Sequence, residues 1–257
     1  VMPSSSVLSV PAAIGVVTLC LGVLSCLYII RDQRRRPAPA MPVMTWVWPI
    51  NALWAGPLAV WAYRSLGAGR LPRNGERGSA SAGPGMTRAM DMARMDMSGR
   101  DMPGMSGKRA RPFWQSVVTG TLHCGAGCTL ADLVGPWLFR LAPFTLWGHA
   151  MYGEWALEYV LALLFGVGFQ YAGLASMTRR RGAALWWRAF KVDVLSLTAW
   201  QVGMYAWMAV CMFVLGLPLS PASPVFWFMM QVSMLCGFMT SYPMNWALIR
   251  TGVKTAM

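Results

Sequence analysis

Long apolar stretches alternate with short polar ones along most of the chain. A bilayer core of about 30 Å requires about 20 apolar residues in a helix. Six segments reach this length, at residues 10–30, 43–63, 114–139, 155–177, 190–216 and 224–249. Because irregular backbone cannot face lipid, each segment is predicted to be helical, with local kinks at Pro49, Pro57 and Pro136. The pattern predicts an all-α, polytopic membrane helix bundle with about six transmembrane helices.

One long polar stretch interrupts this pattern, at residues 64–112. It is rich in Gly, Ser, Arg and Met and has no apolar periodicity, so it is predicted to be flexible. It divides the chain into three parts: an N-terminal transmembrane hairpin (1–63), a Met-rich flexible loop (64–112) and a four-helix membrane core (113–257).

Composition supports the membrane class, since 56% of the residues are hydrophobic and only 12% are charged. The net charge of +13 comes from basic tracts that flank the apolar segments. Such tracts orient helices and contact anionic lipid, so the expected partner is the lipid bilayer and no nucleic acid is expected. The predicted location is the inner membrane of a bacterial cell, as a multi-pass protein.

The basic residues also bear on the orientation of the predicted helices. The first apolar run has no basic cluster before it, which favours an uncleaved helix over a signal peptide. With the N-terminus inside, the inner loops would hold 17 basic residues and the outer loops five. The positive-inside rule favours this arrangement, although the short cluster between Arg31 and Arg36 argues for the opposite one.

A group of potential metal ligands lies in the third apolar segment, at His123, Cys124, Cys128 and Asp132. The last three are spaced i, i+4, i+8, so a helix places them on one stripe. We expect this stripe to face the interior of the core, because an aspartate facing lipid would have no partner. Thiolates and imidazole suit soft or borderline metals such as Cu(I) and Zn. The alternative is that the cysteines, like the other four in apolar segments, pack as small residues while Asp132 bonds a neighbouring helix.

Methionine is unusually frequent in the polar loop. Core packing does not explain methionine in so polar a segment, whereas thioether sulfur is a soft ligand that selects Cu(I). A low-complexity linker of biased composition is the alternative, and we favour metal capture. The loop candidates are Met86, Met90, Met92, Met95, Met97, Met102 and Met105.

A second methionine stripe lies in the membrane, at Met204, Met208 and Met212. Methionine at helical spacing usually fills gaps in a core. These three become candidate ligands only because the loop already indicates a soft metal.

Several stretches resemble an uncharacterised bacterial membrane family, domain of unknown function 4396. They lie in both the hairpin and the core, at residues 48–58, 123–132, 169–171, 191–198, 201–205, 226–231 and 240–245. The resemblance implies a membrane protein and supplies no activity.

The leading hypothesis is a protein that binds or moves a soft metal ion, with copper as the cofactor or cargo. Possible partners are other copper-handling proteins and further copies of this chain. One alternative is a non-catalytic assembly or scaffold protein; a less favoured one is a membrane thiol oxidoreductase that uses Cys124 and Cys128. No nucleotide-binding loop or hydrolase triad is recognisable, so an enzyme is not the favoured reading.

Overall fold

A computed structural model describes residues 5–37, 39, 41–67, 112–177, 182–217 and 219–254. Within these ranges the protein is all-α and has no β-strand. Most of the predicted Met-rich loop lies outside the described residues. The helices are α1 (Ser5–Gln33), α2 (Met44–Ala55), α3 (Pro57–Ala62), α4 (Phe113–Leu141), α5 (Ala150–Met177), α6 (Ala183–Ala209) and α7 (Pro224–Arg250). Two π-helical turns follow α3 and α6, at Tyr63–Gly67 and Val210–Val214.

Five helices among the described residues are long and apolar enough to cross a membrane. They contain the first, third, fourth, fifth and sixth predicted segments, so the predicted fold class of a polytopic helix bundle is confirmed. The spans are Val10–Gln33, Phe113–Leu141, Ala150–Ser176, Ala183–Val214 and Pro224–Arg250.

The second predicted segment is not a single span. It breaks at Gly56, whose φ of 52° lies in the left-handed region, and Pro57 then starts α3. The chain turns back at this break, since the rings of Trp48 and Tyr63 lie 5.8 Å apart. Tyr63 also donates a 2.9 Å hydrogen bond to Asp32 at the end of α1. Residues 44–67 therefore form a re-entrant hairpin, and the prediction of a transmembrane helix at 43–63 was wrong.

The re-entrant hairpin is packed against other helices, as a backbone break at membrane depth requires. Asn51, which is fully buried, donates hydrogen bonds to the Val47 carbonyl (2.8 Å) and, across to α4, the Leu122 carbonyl (2.9 Å). The indole of Trp54 donates to the Asn51 side-chain oxygen at 3.1 Å. Polar bonds inside the bundle thus fix α2 to the central helix.

Helix α4 is the centre of the bundle and packs against α2, α5, α6 and α7. Its approach to α5 is closest at Gly127 and Gly166, where a Cβ on Gly127 would lie 2.7 Å from the Gly166 Cα. Small residues at such a crossing let two membrane helices meet backbone to backbone. Side chains on the two flanks of α4 are consequently enclosed by protein rather than by lipid.

The helix directions place several chain segments at one end of the bundle. The Phe113 ring, at the start of α4, lies 4.7 Å from Trp246 near the end of α7, and the Tyr171 ring of α5 lies 5.2 Å from Trp186 of α6. Helix α1 is parallel to α7, because Gly15 adjoins Pro224 and Gln231 donates to the Leu53 carbonyl beside Gly22.

The ends of α1, α5 and α7, the starts of α4 and α6, and both arms of the re-entrant hairpin therefore share one end. Every Lys and Arg within the described ranges, except Arg140, lies at this end. We call it the basic end.

Candidate functional site

The predicted stripe on α4 faces the interior of the bundle. Cys124 and Cys128 are fully buried, and Asp132 is 3% exposed. This confirms the expectation that an intramembrane aspartate takes an interior position and that helical spacing gives the two sulfurs the same environment. The stripe runs about 12 Å along the helix axis from Cys124 to Asp132, and its two ends have different surroundings.

At the basic end, Cys124 belongs to a compact polar group formed with α6 and the C-terminal tail. Its thiol donates a 3.1 Å hydrogen bond to Asp193 Oδ1, and its sulfur lies 2.8 Å from Ser196 Oγ. The ammonium of Lys254 donates to the same sulfur at 3.3 Å. Asp193 and Lys254 form an ion pair of 3.7 Å whose side chains are both 0% exposed. A buried thiol between an acid and a base is therefore the central feature at this end.

Lys254 reaches this position because the chain reverses after α7. Gly252 has a φ of 73°, a left-handed conformation that ends the helix, and the Lys254 amide then donates to the Leu248 carbonyl at 2.9 Å. The side chain points back into the bundle, where Nζ donates to Asn245 Oδ1 at 2.8 Å. Burial acts to lower the pKa of Lys254, but Cys124 and Asp193 oppose this and leave that pKa above its usual value.

Besides Cys124, Asp193 and Lys254, three polar side chains of α6 and α7 belong to this group. Asn245 Nδ2 donates to Ser196 Oγ at 2.7 Å, and Ser241 Oγ donates to the Ser196 carbonyl at 3.0 Å. Of the six polar side chains gathered here, only Asp193 Oδ2 lacks a hydrogen-bond partner among the described residues. We call these residues the lysine network: Cys124, Asp193, Ser196, Ser241, Asn245 and Lys254.

At the other end of the stripe, Asp132 has no such partners. Neither of its carboxyl oxygens has a hydrogen-bond partner within the described part of the chain. Glu158 of α5, which is 5% exposed, interacts electrostatically with Asp132 and with Glu154 one turn away. Its side chain lies over Gly135, where a Cβ would come within 2.8 Å of the Glu158 Cγ. These two buried acids thus interact with each other, and neither forms an ion pair with a described Lys or Arg.

A cavity of about 170 Å³ adjoins these acids at the end of the bundle opposite the basic end. Arg140, Glu154, Glu158 and Tyr205 contribute polar groups to its wall. Five methionines line it, which we call the methionine pocket: Met151, Met204, Met208, Met212 and Met230. Asp132 lies next to this pocket, in a cavity of about 140 Å³ that shares Met230 with it.

The predicted ligands of the α4 motif are not gathered at one point. His123 lies on a different side of the helix, 6.2 Å from the Phe169 ring and facing Gly173. The Phe169 backbone approaches its ring, but neither ring nitrogen makes a hydrogen bond of acceptable geometry. In the described part of the chain, no group of three or more His, Cys, Asp and Glu side chains is arranged to hold a metal ion.

The three intramembrane methionines named from the sequence lie together, and several groups around them were not expected. Met204, Met208 and Met212 do share one cavity, and Met151, Glu154 and Glu158 join them from α5. The i, i+4 spacing of the two glutamates at the start of an apolar run was the available signal for α5. The loop methionines, Met86 to Met105, lie outside the described residues.

Comparison with known proteins identifies the family. The family model described as Domain of unknown function (DUF4396) matches residues 113–254, more than half of the 257-residue chain, so the chain belongs to this family. The matched range begins with α4 and ends at Lys254, and it does not include α1 or the re-entrant hairpin, where a resemblance was also expected. No curated protein and no solved structure matches the chain.

Proposed function

We propose that the protein binds a soft metal ion, best represented by Cu(I), in the methionine pocket. The observation that carries the proposal is the convergence of five thioether side chains from α5, α6 and α7 on one cavity. Thioethers select Cu(I) over hard cations such as Mg²⁺ and Ca²⁺. A methionine core that only fills space needs no cavity at its centre and no acids in the wall.

The charge distribution supports a cation as the ligand. Asp132 and Glu158 are buried acids next to each other, and such a pair is stabilised by a positive charge placed nearby. Arg140 also lines the pocket, but no described Lys or Arg forms an ion pair with either acid. The lysine network is the opposite case, because an ammonium already lies 3.3 Å from the Cys124 sulfur. We therefore assign metal binding to the methionine pocket, with Asp132 nearby, and not to Cys124.

The π-helical turn at the end of α6 contributes to the same proposal. Met212 lies in the turn Val210–Val214, one turn beyond Met208, and lines the pocket. Single π turns inside membrane and soluble helices occur frequently at functional sites.

A scaffold role is the alternative if no metal binds. Thiol chemistry is disfavoured, since Cys124 and Cys128 are both fully buried and are free cysteines.

The orientation of the bundle indicates on which side of the membrane the proposed site lies. Five crossings and one re-entrant hairpin place all the described basic residues except Arg140 at the basic end. By the positive-inside rule this end faces the cytoplasm and the N-terminus lies outside, in place of the N-inside arrangement expected from six spans. The Met-rich loop remains on the cytoplasmic side, and the methionine pocket lies toward the outer face.

The proposal is tested by Cu(I) titration of detergent-purified protein against a colorimetric chelator. The double variant Met204→Leu/Met208→Leu keeps side-chain volume but removes two sulfurs, and it is expected to weaken affinity by at least about tenfold. The matched control is Met239→Leu, because Met239 also lies on a membrane helix but is 64% exposed. Both variants are also made without residues 86–105, which removes loop binding. Equal affinity of the double variant and the control would refute the pocket as the site.

A further inference from the structure

A larger cavity, of about 780 Å³, lies between α1 and the re-entrant hairpin at the basic end. It is separate from the methionine pocket and shares no lining residue with it. Its volume falls in the range of about 300–1,000 Å³ that is usual for sites that bind small organic molecules.

The residues of α1 that line this cavity are polar and basic near the end of the helix and apolar nearer the middle of the bundle. Gln33, Arg34 and Arg36 line one part, at the point where the span of α1 ends. Cys26 and Ile30 of α1, with Leu53 of α2, line the part that extends toward the middle of the bundle. From Cys26 to Arg34 is eight residues, or about 12 Å of helix. The cavity is therefore amphipathic, with a basic part at the depth of lipid headgroups and an apolar part at the depth of acyl chains.

The arginines leave positive charge available in the basic part. Arg36 is paired with Asp32 at 2.5 Å, and Asp32 also accepts the hydrogen bond from Tyr63. Arg34 is exposed and makes no ion pair with a described acid. One acid thus serves a cluster of four arginines between residues 31 and 36. An anionic ligand is the one that this charge distribution favours.

The surrounding aromatic residues agree with a location at the membrane interface. Trp46 and Trp48 both line the cavity, and Trp46 is 67% exposed. Tryptophan is enriched at the level of the headgroups. Because the basic end holds every described Lys and Arg except Arg140, the positive-inside rule assigns this interface to the cytoplasmic leaflet, where anionic lipids concentrate.

We infer that this cavity binds one anionic phospholipid. The headgroup phosphate lies beside Arg34 and Arg36, and an acyl chain runs along the apolar wall formed by Ile30 and Leu53. The lipid fills the space between α1 and the re-entrant hairpin and so joins the hairpin to the bundle. The inference is independent of metal binding.

The test is native mass spectrometry of the full chain released from nanodiscs of equal phosphatidylglycerol and phosphatidylcholine. The wild type is expected to retain one phosphatidylglycerol molecule in preference to phosphatidylcholine. Arg34→Gln should reduce that retention by about fivefold, as expected for one Arg–headgroup interaction. Arg250→Gln is the matched control, because Arg250 is also an exposed arginine at the basic end but does not line the cavity. It should retain lipid like the wild type.

A second variant tests the apolar part. Ile30→Trp places a larger side chain in the cavity and should lower retention of both lipids without changing the preference for the anionic one. Equal retention of the two lipids by the wild type would overturn the inference. So would an Arg34→Gln variant that retains as much phosphatidylglycerol as Arg250→Gln, because the headgroup would then be bound elsewhere.

Discussion

The two ends of the α4 stripe carry similar residue types but differ in how their charges are compensated. At the basic end, Asp193 is paired with Lys254, and the sulfur of Cys124 lies between them. About 12 Å away, Asp132 and Glu158 interact with each other and neither forms an ion pair with a described base. A buried acid that is paired with a base stabilises the bundle, whereas a buried acid without an ion-pair partner retains the capacity to bind a cation. The polar residues of α4 therefore have two different roles, which the sequence motif alone does not separate.

The largest expected effect concerns which end faces the cytoplasm. In a variant without the native cysteines, Ser98→Cys in the loop should be labelled by a membrane-impermeant thiol reagent only after the cells are opened. Ser220→Cys, an exposed position between α6 and α7 at the opposite end, should be labelled in intact cells. In intact cells we expect full labelling of Ser220→Cys and no labelling of Ser98→Cys, because the two positions lie on opposite faces of the membrane. Labelling of Ser98→Cys from outside would reverse the comparison and place the methionine pocket toward the cytoplasm.

The next largest effect is expected in the lysine network. Lys254→Met leaves Asp193 buried and unpaired, which should lower the free energy of unfolding by about 3–5 kcal/mol. Thermal unfolding in detergent measures this change. The double variant Lys254→Met/Asp193→Leu removes both charges and should recover most of the loss. If the single and double variants were equally unstable, the ion pair would not be the stabilising element at this end.

At the Asp132 end of the stripe we expect a smaller change in stability together with a loss of Cu(I) affinity. Asp132→Asn removes a buried charge that has no partner, so the free energy of unfolding should change by less than about 1 kcal/mol or rise. Cu(I) affinity should fall by about tenfold, since the acid no longer offsets the charge of the ion. The same titration on Asp193→Asn should give the reverse pattern, with stability lost and affinity kept. Unchanged Cu(I) affinity in Asp132→Asn would remove this acid from metal binding.

The smallest effect is expected for the motif cysteine at the basic end. In Cys124→Ser the hydroxyl can still donate to Asp193 and accept from Lys254, so we expect a loss of about 1 kcal/mol and no change in Cu(I) affinity. Thermal unfolding and copper titration on the same sample measure both quantities. A large loss of Cu(I) affinity would return Cys124 to the metal site that its spacing first indicated.

Much of the fold was predictable from the chain because membrane helices are specified locally. Apolar length predicted five of the helices, and the cost of a lipid-facing charge predicted that Asp132 faces inward. The re-entrant hairpin was missed because its two arms together have the length of one span. Gly56 and Pro57 were visible in the sequence, but a kink and a reversal share the same residue signal.

The candidate site was less predictable than the fold, because its geometry depends on contacts between distant parts of the chain. The pairing of Lys254 with Cys124 joins residues 130 positions apart. No local pattern in the tail marks this lysine as buried, since lysines after a membrane helix usually lie in headgroups. The grouping of Met151 with Met204 likewise depends on how α5 crosses α6. Helical spacing predicts which residues share a face, and packing decides what that face meets.

The position of Lys254 at the end of the family's matched range also has a consequence for biosynthesis. Helix α4 is made before α5, α6 and α7, and it carries an aspartate whose insertion alone costs about 2.5–3.5 kcal/mol. Asp193 enters the membrane on α6 before Lys254, its described ion-pair partner, has been translated. In the nascent chain, Asp193 therefore stays without this partner until Lys254 has been translated. Translation of Lys254 closes the lysine network, whereas Asp132 and Glu158 gain no ion-pair partner among the described residues.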